Sequence, residues 1–563
     1  MVLYREGPIT SRCSQVLQTL RNHTNTRSRR ILFVKFIILV FLVAIGLVRR
    51  TSSKNLSILN DSEENSSDVY YISKRTLCSR SIAYDQLGIQ PIAVAKVILR
   101  PLVQTPPFEG YDDRLEVIEE GLINDVVFLD RNVSGKEAEL SAHVCPLHTV
   151  SILPSQNPKR YTASEILFGV MMEVDEIPSA LEQWRFWARH SKASFYVLLP
   201  NKDHNKVRKA QDLFKKVLGV KVIVEAAKDP VEPRGSMLML IEKMRQAASS
   251  EIRWYMILSP TTFITSTDDV LLALDQYDAS MPMYLGTISE SKGQRDQYGV
   301  FAYGGAGIVL SRPLAETIAE HGTFPLYSTN LAPQCLEIHE TPYADGLLSH
   351  CINRFTSSEF TLLPTFHQTD LLEDISGMLQ GPLEFATMNN ISADSVTIFP
   401  SWHPVGPETP IPSTFTDQLE LFYHSRDILG SPNWGMRYRF GRNGRYVLTN
   451  GYSITEFLRP PFPTNFAIRG GVEGTFYNDN EAEEFTFHAN HYGEIKEVPM
   501  RHGLREADDK RTYYLRAIEM RHTQASLARA QKMNRKKKEA AVFIYTNEWG
   551  SVRRGIEVVW LLP

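Results

Sequence analysis

The chain has 563 residues, enough for about two to four domains and a sizeable buried core. With 43% apolar and 22% charged residues it has a globular composition, which excludes a chain disordered throughout. A formal net charge of -3 gives the chain as a whole no electrostatic signature of a nucleic-acid partner.

Residues 31–48 read ILFVKFIILVFLVAIGLV, an apolar run broken only by Lys35. A helix of that length reaches about 27 Å, sufficient for a thin bilayer, and the Lys35 ammonium snorkels to the near interface. The leader carries Arg5, Arg12, Arg21, Arg27, Arg29 and Arg30 against Glu6, whereas Arg49, Arg50 and Lys54 give way to Asp61, Glu63 and Glu64. The positive excess on the N-side predicts a single-pass type II anchor with a cytosolic N-terminus. A cleaved signal peptide fits less well, because the leader is long and no small-residue cleavage site precedes Arg49. Acceptor sequons begin at Asn55, Asn60, Asn65, Asn132 and Asn390, and the first three mark residues 49–75 as a solvated, glycosylated stem. Of the five cysteines, Cys13 precedes the anchor. Cys78, Cys145, Cys335 and Cys351 follow it, an even number on an oxidising side, with connectivity open.

Residues 76–160 mix short apolar runs with Pro and Gly and give no firm elements. From there the pattern becomes regular. Strands are expected over 164–171, 194–200, 220–225 and 253–258, with amphipathic helices over 178–190, 205–217 and 235–249. Strands alternating with helices predict a mainly parallel, doubly wound α/β sheet, with functional residues just beyond the carboxyl ends of its strands. The segment Ser266-Thr-Asp-Asp269 before VLLALDQY reads as a helix cap with acids in the first turn. Beyond about 370, Pro400, Trp402, Pro404, Pro407, Pro410 and Pro412 give an irregular or β-rich texture. Residues 510–540 have helical propensity and end in Arg535-Lys-Lys-Lys538, a charge run that reads as a solvated face. AVFIYTNEW and GIEVVWLLP read as a terminal hairpin.

Several pieces stand in a distinctive order: EILFGVMMEVDEIPSALEQW, RWYMILSPTTFI, YLGTIS, FAYGGAGIVLSRPLAE, YADGLLSHCI and FHQTDL, followed by RFGRNGRYVLTNGYSITEF. With these, residues 162–372 resemble glycosyltransferase family 31, the Fringe-like β-1,3-glycosyltransferases, and look closest to its fungal branch with a long C-terminal extension. The glycine-rich FAYGGAGIVLSR segment is the most specific match. The resemblance implies a GT-A-like, Rossmann-related domain over 161–375. A cytosolic tail (1–30), the anchor (31–48), the stem (49–75) and an N-terminal lumenal segment (76–160) precede it, and a C-terminal extension (376–563) follows. It further implies a UDP-sugar donor, a glycan or glycoprotein acceptor, inversion at the anomeric carbon, Mn2+ or Mg2+ at the diphosphate, and residence in a Golgi or other secretory-pathway membrane.

Carried onto this chain, the resemblance makes Asp345 the base that takes the acceptor proton. A helix cap is the alternative reading of that aspartate. Gly304, Gly305 and Gly307 fall at the donor side, where the absence of Cβ lets backbone approach a ligand; the alternative is a tight turn needed for packing. His367 matches a histidine near the metal–diphosphate region, against a structural role beside Phe366. Where the family has its acidic DxD motif, this chain has Ser259-Pro260-Thr261. Ser259 and Thr261 therefore line the donor position without the carboxylates that hard divalent ions need. Arg295 and Lys292 are candidate cations for a metal-free diphosphate site. Two readings stand: a glycosyltransferase with weakened or absent metal dependence, or a non-catalytic relative that binds glycans or acts as a scaffold. A bridge between Cys335 and Cys351 would rigidify the Asp345 segment.

Overall fold

The structure, a computed structural model, describes residues 93–105, 111–112, 114–122, 127–128, 146–189, 191–200, 204–227, 233–289, 292–322, 335, 343–368, 379–380, 384–389, 398–399, 415–441, 444–458, 510–521, 540–549 and 552–562. The anchor at 31–48, the stem and all five sequon asparagines lie outside them, as does the basic run Arg535–Lys538. Among the described residues no helix is long and apolar enough to cross a membrane. All of them belong to one of two compact units, Tyr71–Pro563.

The first described strands are β1 (Ala93–Val103), β2 (Tyr111–Asp112), β3 (Leu115–Ile118), β4 (Val127–Phe128) and β5 (Leu147–Ile152). The alternating part of the chain then runs β6 (Ile166–Met171), α1 (Ile177–Trp187), β7 (Ser194–Leu199), α2 (His204–Leu218), β8 (Lys221–Ala226), α3 (Ser236–Ala247) and β9 (Trp254–Leu258), matching the expected elements within a few residues. It continues through β10 (Phe263–Ile264), α4 (Thr267–Leu274), β11 (Tyr284–Gly286), α5 (Lys292–Tyr298), β12 (Ile308–Ser311), α6 (Arg312–Gly322), α7 (Ala344–Phe355), β13 (Phe360–Leu362), β14 (Phe366–His367) and β15 (Thr387–Met388). Last come α8 (Phe415–Leu429), β16 (Arg437–Phe440), β17 (Tyr446–Thr449), β18 (Ser453–Phe457), β19 (Lys510–Arg521), β20 (Ala540–Trp549) and β21 (Val552–Leu561).

Seven strands form the sheet β13-β11-β12-β9-β6-β7-β8. β9, β6, β7 and β8 are parallel, β12 runs against both β9 and β11, and β13 is parallel to β11. Side chains alternate across it with the strand period of two: Phe168, Phe195 and Val197 join one core with Trp184 and Phe214, while Leu167, Tyr196 and Leu198 join another with Ile241, Leu347 and Leu348. Both faces are covered by helices, which is why these strands read as continuous apolar runs. The helix α1 starts with Pro178 in its first turn, where a missing N–H costs nothing, and buries Ile177, Ala180, Leu181, Trp184 and Trp187 along one face. The result is an α/β fold with a mixed sheet.

An eleven-stranded sheet has the order β2-β3-β16-β17-β18-β19-β20-β21-β1-β4, with β5 beside β1. Segments on either side of the alternating part thus share one sheet: β21 pairs in parallel with β1, and β16 with β3. The terminal hairpin forms as expected between β20 and β21. The helical propensity of 510–540 is overruled at its start, because Lys510–Arg521 is a strand between β18 and β20. Thr512, Tyr513 and Tyr514 favour a pleated buried surface, and two flanking strands satisfy backbone groups that an isolated helix would satisfy alone.

The helix α8 packs between the two larger sheets and against a third, β10-β15-β14. Tyr423 stacks on Phe186 at 4.8 Å and donates its hydroxyl to the Ile264 carbonyl. Phe422 packs edge-on against Phe263 at 5.2 Å and against Trp434 at 4.9 Å. Beside them Arg426 pairs with Asp269 at 2.6 Å, both side chains being nine-tenths buried or more. Asp269 also accepts from Thr265 (2.7 Å), Ser266 and Ser431, while Ser266 caps α4 by accepting from the Asp269 N–H. The expected cap is therefore present, and Asp269 is committed to the joint. Asp268 is exposed. Replacing Asp269 with Ala leaves Arg426 buried without its partner and is expected to cost about 3–5 kcal/mol in urea unfolding. Asp268→Ala is expected to stay within about 0.5 kcal/mol of wild type.

Candidate functional site

The site lies where the seven-stranded sheet reverses direction, beyond the carboxyl end of β9 and before β12. After Leu258 the chain turns through Ser259, Pro260, Thr261 and Thr262, closed by the Thr262 N–H donating to the Ser259 carbonyl at 3.0 Å. The Ser259 and Thr261 hydroxyls face each other at 3.1 Å. Thr262 is buried; its hydroxyl accepts from the Ser259 N–H at 2.8 Å and donates to the Gly305 carbonyl at 2.7 Å. The segment that the resemblance aligns with an acidic motif is thus an uncharged hydroxyl turn fastened to the glycine loop.

That loop is a single turn of 3-10 helix, Gly304–Ala306, followed by Gly307 at φ 100°. A Cβ on Gly305 would lie 2.7 Å from Gln368 Oε1 and 2.9 Å from Asn389 Cβ. The turn is held by side chains from four places. Gly304 N–H donates to Asp345 Oδ2 at 3.1 Å, Thr262 reaches the Gly305 carbonyl, Ala306 N–H donates to Gln368 Oε1 at 2.8 Å, and the Thr387 hydroxyl donates to the Ala306 carbonyl at 2.6 Å.

Asp345 stands in the first turn of α7, but Tyr343 holds the N-cap position. Besides Gly304, its carboxylate accepts from the Gly346 N–H at 2.8 Å through Oδ1. Two backbone donors from different elements therefore fix the side chain at the edge of the glycine turn. Under it, Tyr284 is wholly buried and accepts from the Ala302 N–H at 3.1 Å. Burial pushes its phenol well up, with the nearby Asp345 charge adding to the effect, so it stays neutral. Cys335 and Cys351 form a disulfide, tying the start of this segment to the middle of α7.

His367 is buried on β14, and its Nε2 lies 3.1 Å from the Glu384 carbonyl. A carbonyl only accepts, so Nε2 carries a proton. Arg295 is buried and donates to the Ser289 carbonyl; Ser289 in turn bridges Gln368. It thus supports the wall behind the glycine turn. Lys292 begins α5. The structure brings together Asp345, Gly304, Gly305 and the Ser259–Thr262 turn. Gln368, Asn389 and Thr387 complete the cradle without having been singled out, because the FHQTDL resemblance drew the reading to His367 rather than to its neighbour.

A divalent metal does not fit the described residues in the family's manner. The Ser259 and Thr261 hydroxyls bond to each other, and among the described residues no group of three or more His, Cys, Asp or Glu is placed to hold an ion.

The family model described as Fringe-like matches residues 187–397, which include the hydroxyl turn, the glycine turn, Asp345 and His367. No curated protein matches the chain. Among solved structures, the mannosyltransferase PcManGT from Pyrobaculum calidifontis, in complex with GDP-Man and Mn2+, is 10% identical, with 34% of this chain and 55% of that chain covered and a TM-score of 0.23. The glycosyltransferase GlyE of Streptococcus pneumoniae TIGR4 is 12% identical, with 35% and 44% covered and a TM-score of 0.24. Mouse xyloside xylosyltransferase 1, in its apo form, is 12% identical, with 35% and 84% covered and a TM-score of 0.26. The chain spans about half the length of the first two. At these TM-scores the likenesses carry no argument.

The crowding at the turn is uneven. Gly305→Ala drives a Cβ into the Gln368 amide and the Asn389 Cβ and is expected to cost about 1–3 kcal/mol of stability by chemical denaturation. At Gly304 the nearest atom is the terminal methyl of Met237, which can swing aside, so Gly304→Ala is expected to cost less than Gly305→Ala in the same measurement.

Proposed function

We propose, for a chain whose residues 187–397 are Fringe-like, that it is a glycosyltransferase moving a sugar from a UDP-sugar to a hydroxyl of a glycan or glycoprotein with inversion. The observation that carries this reading is the Asp345 carboxylate, fixed by the Gly304 and Gly346 N–H groups at the rim of the glycine turn. In a single displacement the acceptor oxygen bonds to the anomeric carbon as the bond from that carbon to the diphosphate oxygen breaks. The acceptor proton passes to an Asp345 oxygen, and UDP departs with the electron pair. Holding the carboxylate from two sides contributes orientation, since a proton acceptor must stand within hydrogen-bond reach of its donor.

The donor lies on the side of Ser259, Thr261, Gly304, Gly305 and Gly307. The Ser259–Thr261 hydroxyl pair there meets the charge that develops on the leaving diphosphate, in place of the ion that paired carboxylates would hold. The segment 31–48 anchors the chain as a type II protein in a Golgi or other secretory-pathway membrane, with the rest lumenal.

A second reading is a non-catalytic, glycan-binding or scaffolding protein, favoured by Ser-Pro-Thr where the family carries paired acids. Calorimetric titration of UDP into the purified protein, with Mn2+ and with a chelator, separates the two. Binding is expected, with affinities equal within about twofold under both conditions. Asp345→Asn is expected to keep that binding while lowering UDP release from a panel of UDP-sugars by about a hundredfold or more. Unchanged turnover in Asp345→Asn removes Asp345 as the base, and a folded protein that binds no nucleotide supports the second reading.

A further inference from the structure

The strand β11 runs past the start of the glycine turn, and one of its side chains ties that start down. Tyr284 is wholly buried, and its hydroxyl accepts from the Ala302 N–H at 3.1 Å, two residues before the turn opens at Gly304. Gly286 lies on the same face of β11, two residues on. A Cβ there would stand 2.5 Å from the Ala302 Cβ, so strand and residue 302 are in direct contact. The next residue is held as well, since the Tyr303 N–H donates to the Thr287 carbonyl at 2.8 Å. The Tyr284 ring is itself fixed, tilted against Phe360 of β13 with centroids 5.5 Å apart.

The same hydroxyl reaches the helix that carries the carboxylate. It shares a hydrogen bond with the side chain of Ser349, which follows Asp345 by about one helical turn in α7. Two ties therefore run between α7 and the segment that leads into the glycine turn. In one, Asp345 accepts from the Gly304 N–H; in the other, Tyr284 links Ser349 to Ala302. Tyr284, Ala302 and Ser349 are all buried. A polar group at that depth is costly to leave without its partner, so the second tie is not readily exchanged for water.

We infer that Tyr284 is a positioning residue for Asp345. By holding Ala302 and Ser349 to one phenol oxygen, it sets the spacing between α7 and the glycine turn at which the Gly304 N–H meets the carboxylate. The inference rests on the transferase reading above, in which that carboxylate takes the acceptor proton. Being wholly buried, Tyr284 acts through Asp345 rather than on a substrate. A misplacement of about 1 Å at a reacting group costs on the order of a hundredfold in rate, so a smaller shift is enough to be read in turnover.

Tyr284→Phe removes the oxygen and keeps the ring. Its control is Tyr255→Phe in β9: Tyr255 is buried in the same core, and among the described residues its hydroxyl has no hydrogen-bond partner. The full-length protein in detergent is followed by hydrogen–deuterium exchange over residues 301–307, with 194–199 as reference, and by UDP release from the panel of UDP-sugars. Tyr284→Phe is expected to speed exchange over 301–307 about tenfold and leave 194–199 as in wild type. It should also lower kcat about tenfold while KM for the UDP-sugar stays within about twofold. Ser349→Ala, the milder cut at the other end of the tie, should move exchange and kcat the same way by about threefold. Tyr255→Phe should stay within about twofold of wild type throughout. Added to Asp345→Asn, Tyr284→Phe should change kcat by less than about twofold, because no base is left to misplace. Unchanged exchange over 301–307, or equal acceleration over both segments, overturns the tie. Unchanged kcat, or the full loss repeated on top of Asp345→Asn, overturns its action through Asp345. A wild type that releases UDP from none of the donors sinks the transferase reading instead, and exchange still decides whether Tyr284 holds the turn.

Discussion

The site depends on one constraint: a three-residue turn, Gly304–Ala306, enclosed too tightly for a side chain at Gly305. Its backbone polar groups, enclosed away from water, need partners, and four side chains from separate elements supply them. Each partner is a residue whose own position then becomes fixed. Asp345 is oriented, the hydroxyl turn after β9 is drawn to the loop through Thr262, and β14 and β15 are brought alongside through Gln368 and Thr387. The geometry of the candidate site is therefore a consequence of satisfying a backbone.

The acidic residues near this turn have been divided between tasks. Asp345 faces the glycine loop, whereas Asp269, in the first turn of α4, is buried in the contact with Arg426, Ser431, Thr265 and Ser266. A carboxylate so engaged is committed to four donors, and moving it would leave a guanidinium without its counter-charge between Phe422 and Trp434. The hydroxyl turn is thus left with neutral dipoles alone. The joint around Asp269 holds α8, and with it the eleven-stranded sheet, against the domain that carries the site.

Much of this was legible in the residues. The strands from Ile166 to Leu258 alternate with amphipathic helices, and their continuous apolar runs follow from burial on both faces, so period and length sufficed. The cap at Ser266 is a local hydrogen bond and was equally readable. What was not legible is tertiary. Lys510–Arg521 has helical propensity in isolation and becomes a strand because strands flank it on both sides. Gln368 and Asn389 carry no sequence signal, since their importance comes from crowding against Gly305. Nor does any local pattern in residues 93–152 announce partners in residues 437–561; parallel pairing between distant segments leaves only short apolar runs in either one.

That distant pairing bears on how the molecule comes into being. β21 lies between β20 and β1, with Ala93 opposite Arg554 and Leu99 opposite Trp560, about 460 residues apart along the chain. During synthesis the edge of β1 that takes β21 emerges well ahead of its partner. The alternating domain can close on local contacts in the meantime, but the larger sheet cannot. A nascent chain thus carries an open strand edge while the residues between β1 and β21 are made, and a chain stopped short of β21 carries it permanently.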